Sequence, residues 1–520
     1  MKAFLMHRDR DFAVKAPAPA LWPLLRKDLE LDILIDAMAG EDKRVRAVVE
    51  RALYLGAGAD LDTIFHRQAA LKDCLRNSEV IRALYALAQE AVTRQGKVWG
   101  HFREYPSGLL GYSVEQMTIF MDVLKRVRNK ADANADRFES EAFRNLFAVL
   151  SRELDDAYFK TVSAHLSRLR FNGGLLVSAH LDKGLKGADY VLRRPLKRPG
   201  TWLRQLFLDL RSYFFPDGSS SYTLYLAPRD EAGAQALSEL RDRGLGLAAD
   251  ALARSAKHIL SFFEMLLEEL AFYVGCLNLH ERLSAIGAPF AFPAVDAPES
   301  QTLGYRGLYD VSLALRGARR PVGNDFDADR KPLIIISGAN QGGKTTFLRS
   351  LGAAQAMAQA GMFVAANEFR SSLAGGVFTH FKREEDAGMV SGKFDEELKR
   401  MSEIVDALAP RSLVLFNESF SATNEREGSE IARQIVTALF ERSFRVVFVS
   451  HQYAFTHEIY ERHLPAAAFL RADRQPDGGR SFKLAPGEPL STSFGEDVYR
   501  EVFKAADERP GQAQSPFAAA

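Results

Sequence analysis

A glycine-rich stretch that begins at Gly338 has the spacing GxxxxGK[ST], which is typical of loops that bind nucleotide phosphates. The apolar run Leu333 to Ser337 predicts a strand before it, and Thr346 to Gln359 predicts a helix after it. In such a loop, backbone N–H groups face the phosphates, the lysine reaches the β- and γ-phosphates, and the next hydroxyl ligates Mg²⁺. ATP and Mg²⁺ are therefore the expected ligands. The predicted nucleotide-binding residues are Gly338, Ala339, Asn340, Gln341, Gly342, Gly343, Lys344, Thr345 and Thr346.

A second apolar run, Leu413 to Asn417, ends in polar residues and is followed by Glu418, which is the layout of a Walker B strand. We expect Glu418 to act as the general base that polarises the attacking water. Asn417 occupies the position that usually carries an aspartate supporting Mg²⁺. An amide accepts a hydrogen bond from a metal-bound water but brings no negative charge. The sequence therefore predicts weak Mg²⁺ affinity or slow turnover, with nucleotide binding retained.

Three further features follow the order expected of an ABC-type ATPase. The run Val446 to Ser450 predicts a strand that ends at His451, a candidate sensor of the γ-phosphate and a second catalytic residue. A polar turn from Ser419 to Gly428 stands where such ATPases have their D-loop. Ser391 and Gly392 open an amphipathic helix between the two Walker motifs, as the ABC signature does. That signature would face the nucleotide of a second subunit, so the pattern predicts a two-fold homodimer with composite ATP sites.

Long segments with apolar residues at helical spacing precede these motifs and predict a mostly α-helical first half. These segments are Leu24 to Leu55, Thr63 to Val92, Ala142 to Leu169 and Ala248 to Ile286. The stretch from Phe171 to Tyr225 is richer in glycine and predicts strands and turns inserted between helices. Basic residues are interleaved with aromatic ones there, which suits contact with DNA phosphates, although the simpler interpretation is a solvated connector next to a partly buried helix. The candidate DNA-binding residues are Arg193, Arg194, Lys197, Arg198 and Arg204.

The composition of the 520 residues, 47% hydrophobic and 26% charged, is that of a soluble protein with more than one domain. A net charge of +1 neither favours nor excludes nucleic acid, so any DNA contact must come from local basic patches. The two cysteines, Cys74 and Cys276, lack metal-ligand spacing and fit a reducing cytoplasm. No apolar run is long enough for a membrane span, and the N-terminus is a poor targeting segment.

Taken in order, these motifs resemble those of the MutS family of DNA-repair proteins. The phosphate loop is similar to the family's GPNMGGKST, and Asn417 to Gly428 is similar to DEIGRGTSTxDG. Phe448 to His451 resembles FATH, Ser493 to Gly495 resembles SYG, and Val322 to Asp325 resembles VPND. Arg67-Gln68 is similar to the RQ that starts the family's core domain.

The resemblance implies an ABC-type α/β P-loop ATPase domain preceded by a mostly α-helical MutS-core-like domain with a small β-containing insertion. The expected boundaries are an N-terminal segment 1–28, a helical core and lever 29–299, an ATPase domain 300–505 and a disordered tail 506–520. Residues 171–225 correspond to a reduced DNA-clamp insertion. We also expect double-stranded DNA as partner, with a cytoplasmic, nucleoid-associated location.

Two departures from the family pattern affect the expected function. About thirty residues precede the first core-like helix, so no mismatch-reading domain is expected there. The family aromatic that stacks on adenine is unmatched, because Pro321 stands near its position. Three hypotheses remain open. The chain is a DNA-coupled ATPase acting on mismatched or structured duplex, an ATP-gated DNA clamp or scaffold with little hydrolysis, or an unrelated P-loop enzyme such as a small-molecule kinase.

Overall fold

The computed structural model describes residues 1–95, 105–171, 174–181, 187–193, 230–318, 320–383, 392–475 and 479–491. The chain divides into two compact units that interleave along the sequence. The first comprises residues 1–2, 83–135 and 146–267, and the second comprises 3–82, 136–145 and 268–520. Among the described helices, none is both long enough and apolar enough to cross a bilayer.

Five helices form the N-terminal part of the described chain, and local backbone signals separate them. They are α1 (Trp22–Asp28), α2 (Leu31–Ala39), α3 (Lys43–Leu55), α4 (Leu61–Arg76) and α5 (Ser78–Gln95). The helical pattern predicted for Leu24 to Leu55 is thus divided among three helices. Glu30 and Gly40 adopt left-handed φ angles of 52° and 58° at the breaks. Asp42 and Asp60 cap α3 and α4 by accepting backbone N–H bonds.

The N-terminal residues of the second unit are held by buried polar side chains. The Arg67 guanidinium, on α4, donates to the carbonyls of Met6 and Ala360 at 2.9 and 3.3 Å. The fully buried Glu269 carboxyl group accepts N–H bonds from Leu5 and Phe12 at 2.6 and 3.2 Å. Because these backbone groups are buried, they need such partners to avoid a desolvation cost. The segment is therefore part of the folded core.

The next helices are α6 (Pro106–Asp132), α7 (Glu141–Glu153), α8 (Asp156–Leu169) and the long α9 (Glu231–Ala285). Between α8 and α9 lies an antiparallel pair, β1 (Leu176–Leu181) and β2 (Gly187–Arg193). Strands are therefore present in the stretch that the sequence predicted to contain them. Arg193 ends β2, where its Nε donates to Ser178 Oγ at 2.8 Å. Arg194, Lys197, Arg198 and Arg204 lie outside the described residues.

A six-stranded sheet forms the main scaffold of the C-terminal part. Its strands are β6 (Leu333–Gly338), β8 (Val377–Phe381), β9 (Leu413–Asn417), β10 (Arg445–Val449), β11 (Ala467–Arg474) and β12 (Arg480–Pro486). The order is β12-β11-β6-β10-β9-β8, and every neighbouring pair is parallel except β11 and β12. The parallel strands predicted at β6, β9 and β10 are confirmed. Their apolar side chains are buried on both faces, as in sheets covered by helices.

The helices that follow these strands are α11 (Lys344–Gln359), α12 (Lys393–Ala407), α13 (Glu425–Glu441) and α14 (Tyr453–Glu461). A four-stranded sheet, in the order β3-β7-β4-β5, adjoins them together with the short α10 (Val311–Gly317). Its strands are β3 (Ala294–Asp296), β4 (Leu303–Leu308), β5 (Asn324–Asp327) and β7 (Glu368–Ser372).

The Asn324 side chain joins the two sheets, because its Nδ2 donates to the Phe482 carbonyl at 3.3 Å and its Oδ1 accepts from the Leu484 N–H at 2.7 Å. This contact fixes β12 against β5 and brings Phe482 near the carboxyl end of β6.

Candidate nucleotide-binding site

The loop between β6 and α11 has the backbone that its glycines allow. Gly338 and Gly343 adopt φ angles of +102° and +86°, which L side chains rarely tolerate. A Cβ on Gly338 would also lie 2.9 Å from the Ala472 backbone nitrogen. Helix α11 begins at Lys344, and within the described chain no side chain caps its N-terminus. The first-turn N–H groups and the helix dipole are thus available to an anion.

Lys344 is almost fully buried at the start of this helix. Its Nζ donates to the carbonyls of Gly338 and Ala339 at 2.9 and 3.0 Å. Burial lowers the pKa of Lys344, while the nearby Glu418 carboxylate opposes that shift. Phosphate oxygens would be stronger acceptors for this ammonium group than neutral carbonyls are. The loop therefore fits a phosphate chain.

A cavity of about 640 Å³ opens over the loop. This volume is in the range of small-molecule sites. The wall contains loop residues and Glu418, together with groups that lie away from the phosphate end. These last are Leu308, Tyr309, Asp310, Leu313, Arg320, Pro321, Val322, Asn324 and Phe482. The cavity thus has a polar end and a partly apolar end, as a nucleotide requires.

Thr345 and Asn417 face each other beside the loop. The Thr345 hydroxyl donates to Asn417 Oδ1 at 3.1 Å. Both side chains offer oxygen atoms, which are the ligands that Mg²⁺ prefers, and Mg²⁺ usually keeps several waters. The pair fits a hydrated Mg²⁺ held by Thr345 directly and by Asn417 through water, although the amide lacks the charge of a carboxylate.

Glu418 and His451 come together at the ends of β9 and β10. The Glu418 Oε1 and His451 Nδ1 atoms are 3.6 Å apart. The imidazole keeps the pKa of Glu418 below its ordinary value, and Lys344 and Lys382 act in the same direction against the effect of burial. Glu418 is therefore a carboxylate near neutral pH, as a base that accepts a proton from water must be.

The backbone after β9 is strained. Glu418 has a φ of +53° and Phe420 a φ of +61°. Each such non-glycine conformation costs about 1–3 kcal/mol and persists only where the surrounding structure determines it. The Glu418 N–H donates to the Val449 carbonyl at 2.9 Å, which is one of the constraints.

The signature prediction is tested only in part by the described residues. Gly392 is extended, with φ −60° and ψ 151°, and immediately precedes α12. The predicted opening of a helix at this point is therefore confirmed. Ser391 lies outside the described residues, and its predicted role stays a prediction.

Phe482 and Arg480, both on β12, were not singled out from the sequence. A Cβ on Gly343 would lie 3.6 Å from the Phe482 side chain, and Phe482 is 48% exposed. Arg480 Nε donates to the Asn340 carbonyl in the loop at 3.1 Å. The weak sequence signal for Phe482 is an aromatic residue on a short strand among basic and polar neighbours. Phe482 lies over the loop because β12 is the edge strand of the sheet, next to β11, and sequence patterns do not give this order.

Two family models match the chain. The MutS2 N-terminal domain matches residues 59–286, and MutS domain V matches residues 334–483. The first includes α4 to α9, and the second includes the phosphate loop, Glu418, His451 and Phe482. Together the two models match most of the chain. MutS domain V is an ABC-type P-loop ATPase domain, in agreement with the mixed sheet and loop described above.

Curated relatives give the same assignment. A DNA mismatch repair protein MutS of Porphyromonas gingivalis is 33% identical over 220 residues, which are 41% of this chain and 24% of the relative. An endonuclease MutS2 of Thermus thermophilus is 35% identical over 131 residues, 25% of this chain and 18% of the relative. The matched part of this chain thus spans a quarter or less of the length of these proteins. The matches to the two family models and to these relatives overturn the hypothesis of an unrelated P-loop kinase. The chain belongs to the MutS family.

Proposed function

We propose that this chain is a DNA-binding ATPase in which ATP binds at Gly338 to Thr346 and is hydrolysed with Glu418 as base. The observation that carries the proposal is the convergence of Lys344, Thr345 and Glu418 on one cavity of nucleotide size, with His451 Nδ1 3.6 Å from the Glu418 carboxylate. Three strand ends supply these groups, and the carboxyl ends of parallel strands are where such sheets bind ligands.

Each residue has a distinct task in this proposal. The first-turn N–H groups of α11 and the Lys344 ammonium bind the phosphates. Glu418 accepts a proton from the water whose oxygen attacks the γ-phosphorus, as the bond to the ADP oxygen breaks. His451 lies beside Glu418, where it can contact the γ-phosphate and orient the carboxylate. Phe482 offers a flat apolar face for the base. Mg²⁺ held by Thr345 and Asn417 would neutralise charge on the phosphates.

The proposed macromolecular partner is double-stranded DNA that carries a mismatch or a branch, in repair or recombination. The relatives are a DNA mismatch repair protein and an endonuclease, which supports a DNA substrate. Contact through the run from Arg193 to Arg204 and a homodimer completed by Ser391 and Gly392 are part of the proposal. The proposal also includes action on DNA in the cytoplasm. It further includes the division of the chain into a helical core, a clamp insertion and an ATPase domain.

A second candidate is an ATP-gated DNA clamp or scaffold with little hydrolysis. The neutral Thr345–Asn417 pair favours it, because a metal site without a carboxylate binds Mg²⁺ weakly. Turnover measured with and without DNA separates the two candidates. Strong stimulation by DNA supports the ATPase, and negligible turnover with nucleotide-dependent DNA binding supports the switch.

The deciding experiment measures DNA binding by the purified chain with ATP and with ADP. Homoduplex, single-mismatch and four-way-junction DNA are compared at two salt concentrations, since phosphate contacts weaken as salt rises. Lys344→Ala is the control and should abolish ATP binding and any difference between ATP and ADP. Absence of binding to all three DNAs would overturn the DNA-binding part of the proposal. ATP binding by Lys344→Ala equal to that of the wild type would overturn the loop assignment.

A further inference from the structure

Ser419, which follows Glu418, is buried, and its hydroxyl is held by a single residue of the neighbouring strand. Its Oγ lies 2.5 Å from the carbonyl oxygen of His380 and 2.7 Å from Nδ1 of the same residue. His380 is on β8, which pairs with β9 so that His380 stands opposite Phe416. The residue beside the candidate base is therefore fixed to the edge strand of the sheet.

The other ring nitrogen of His380 fixes the tautomer. Its Nε2 lies 3.0 Å from the carbonyl oxygen of Glu397 on α12. A carbonyl only accepts hydrogen bonds, so Nε2 carries the proton. Burial lowers the pKa of His380 to about 3, which keeps the ring neutral. Nδ1 is then an acceptor, and the single proton of the Ser419 hydroxyl is shared between Nδ1 and the His380 carbonyl oxygen.

The ring also packs against the strained residue on the other side of Ser419. Phe420 stacks on His380 with ring centroids 5.1 Å apart and planes 20° apart. Phe416 contacts the same ring at 5.8 Å. His380, Ser419 and Phe420 are all almost completely buried. Polar and aromatic contacts of one imidazole thus restrain the two residues after Glu418.

We propose that His380 is a positioning residue for ATP hydrolysis. Through Ser419 and Phe420 it holds Glu418 in its left-handed backbone conformation, with the carboxylate at the nucleotide cavity. The inference rests on the proposed function, because it concerns the reaction assigned to Glu418. Since Glu397 belongs to α12, the same ring also connects the helix that begins after Gly392 to the base.

The test compares kcat and ATP affinity in full-length variants. His380→Phe keeps a ring but removes the two hydrogen bonds of the imidazole, while the bond from Ser419 to the backbone carbonyl of residue 380 remains. It should lower kcat by about ten- to a hundredfold, the effect expected of a small misplacement of a catalytic group. The Kd for ATP should stay within about twofold, because the phosphate-binding groups are untouched. Ser419→Ala, which removes only a hydroxyl, should lower kcat in the same way and keeps the test valid if His380→Phe fails to fold.

Two conservative variants separate positioning from a purely structural role. His380→Asn keeps an acceptor near the Nδ1 position and should retain kcat within about threefold, even if the ring's loss lowers stability. His380→Gln keeps a donor near the Nε2 position only and should behave like His380→Phe. His457→Phe, on α14, is the matched control and should leave kcat and Kd unchanged.

The outcomes separate the inference from the proposed function. If the wild type hydrolyses ATP and both His380→Phe and Ser419→Ala have the same kcat as the wild type, the inference is overturned. The ATPase proposal then still stands. Loss of ATP affinity and kcat together in a folded variant also overturns it, because positioning of the base acts on kcat. A wild-type chain that binds ATP but does not hydrolyse it, with or without DNA, overturns both the inference and the ATPase proposal.

Discussion

The Thr345 hydroxyl and the Asn417 amide are joined by a hydrogen bond of 3.1 Å from Oγ1 to Oδ1. This contact brings the end of the phosphate loop to the end of β9, and it leaves the proposed metal site without a carboxylate. The local charge there comes from Glu418 and Lys344. The absence of a carboxylate from this pair should lower the affinity of the site for Mg²⁺, which can be measured.

Asn417→Asp should increase Mg²⁺ affinity. A carboxylate in this place adds a charge-assisted contact to a metal-bound water, and such contacts are about twice as strong as neutral ones. We expect the Mg²⁺ concentration for half-maximal ATP hydrolysis to fall by about tenfold. Asn424→Asp is the control, because Asn424 is exposed and caps α13, and an aspartate keeps that cap. An unchanged Mg²⁺ dependence in Asn417→Asp would exclude Asn417 from the metal site.

Glu418→Gln should lower kcat by about 10²- to 10⁴-fold, the usual contribution of a general base. ATP affinity should change little, because the phosphates are bound by Lys344 and the α11 N–H groups. Single-turnover hydrolysis and equilibrium ATP binding provide the two readouts. Glu425→Gln, which removes an exposed carboxylate at the start of α13, is the matched control. Normal turnover in Glu418→Gln would assign the base to another residue.

Phe482→Ala should weaken ATP binding by about ten- to a hundredfold, since stacking of a base on an aromatic ring contributes about 1–3 kcal/mol. Binding of inorganic tripolyphosphate should be unchanged, because it lacks a base. Phe482→Tyr keeps the ring and should bind ATP like the wild type. Equal losses for ATP and tripolyphosphate in Phe482→Ala would indicate a disturbed loop and no stacking.

Much of the proposed site could be predicted because its signals are local. The spacing from Gly338 to Thr345 and the apolar runs before Asn417 and His451 each lie within one strand and its loop. Parallel strands bring their carboxyl ends to one edge, so three local patterns predict one cluster. The structure confirms the strands and brings these residues together, whereas their roles in catalysis stay predictions.

The remaining parts depend on contacts between residues far apart in the sequence. Phe482 reaches the loop only because β12 lies antiparallel at the edge of the sheet and is held by Asn324. His380 meets Ser419 through the pairing of β8 with β9. The left-handed conformations of Glu418 and Phe420 have no sequence signal, because neither residue is glycine. Periodicity and motif spacing do not contain this information.

Glu269→Gln should change how stability depends on pH. Burial raises the pKa of Glu269 from 4.5 to about 7. The folded chain therefore holds this proton between about pH 4.5 and 7, whereas the unfolded chain releases it. The stabilisation linked to the proton is fully present below pH 4.5 and is lost as pH rises to 7.

Glutamine carries no titrating proton. As pH rises from 4.5 to 7, the free energy of unfolding of the variant should therefore increase by about 3 kcal/mol relative to that of the wild type. Urea unfolding at several pH values measures the difference in free energy of unfolding between the variant and the wild type. The altered contacts with Leu5 and Phe12 would shift this difference by the same amount at every pH, so they do not affect its slope with pH. Glu281→Gln, at an exposed ion pair with Arg82, should cost no more than about 1 kcal/mol. A difference between Glu269→Gln and wild type that stays constant from pH 4.5 to 7 would mean that Glu269 keeps its charge in the core.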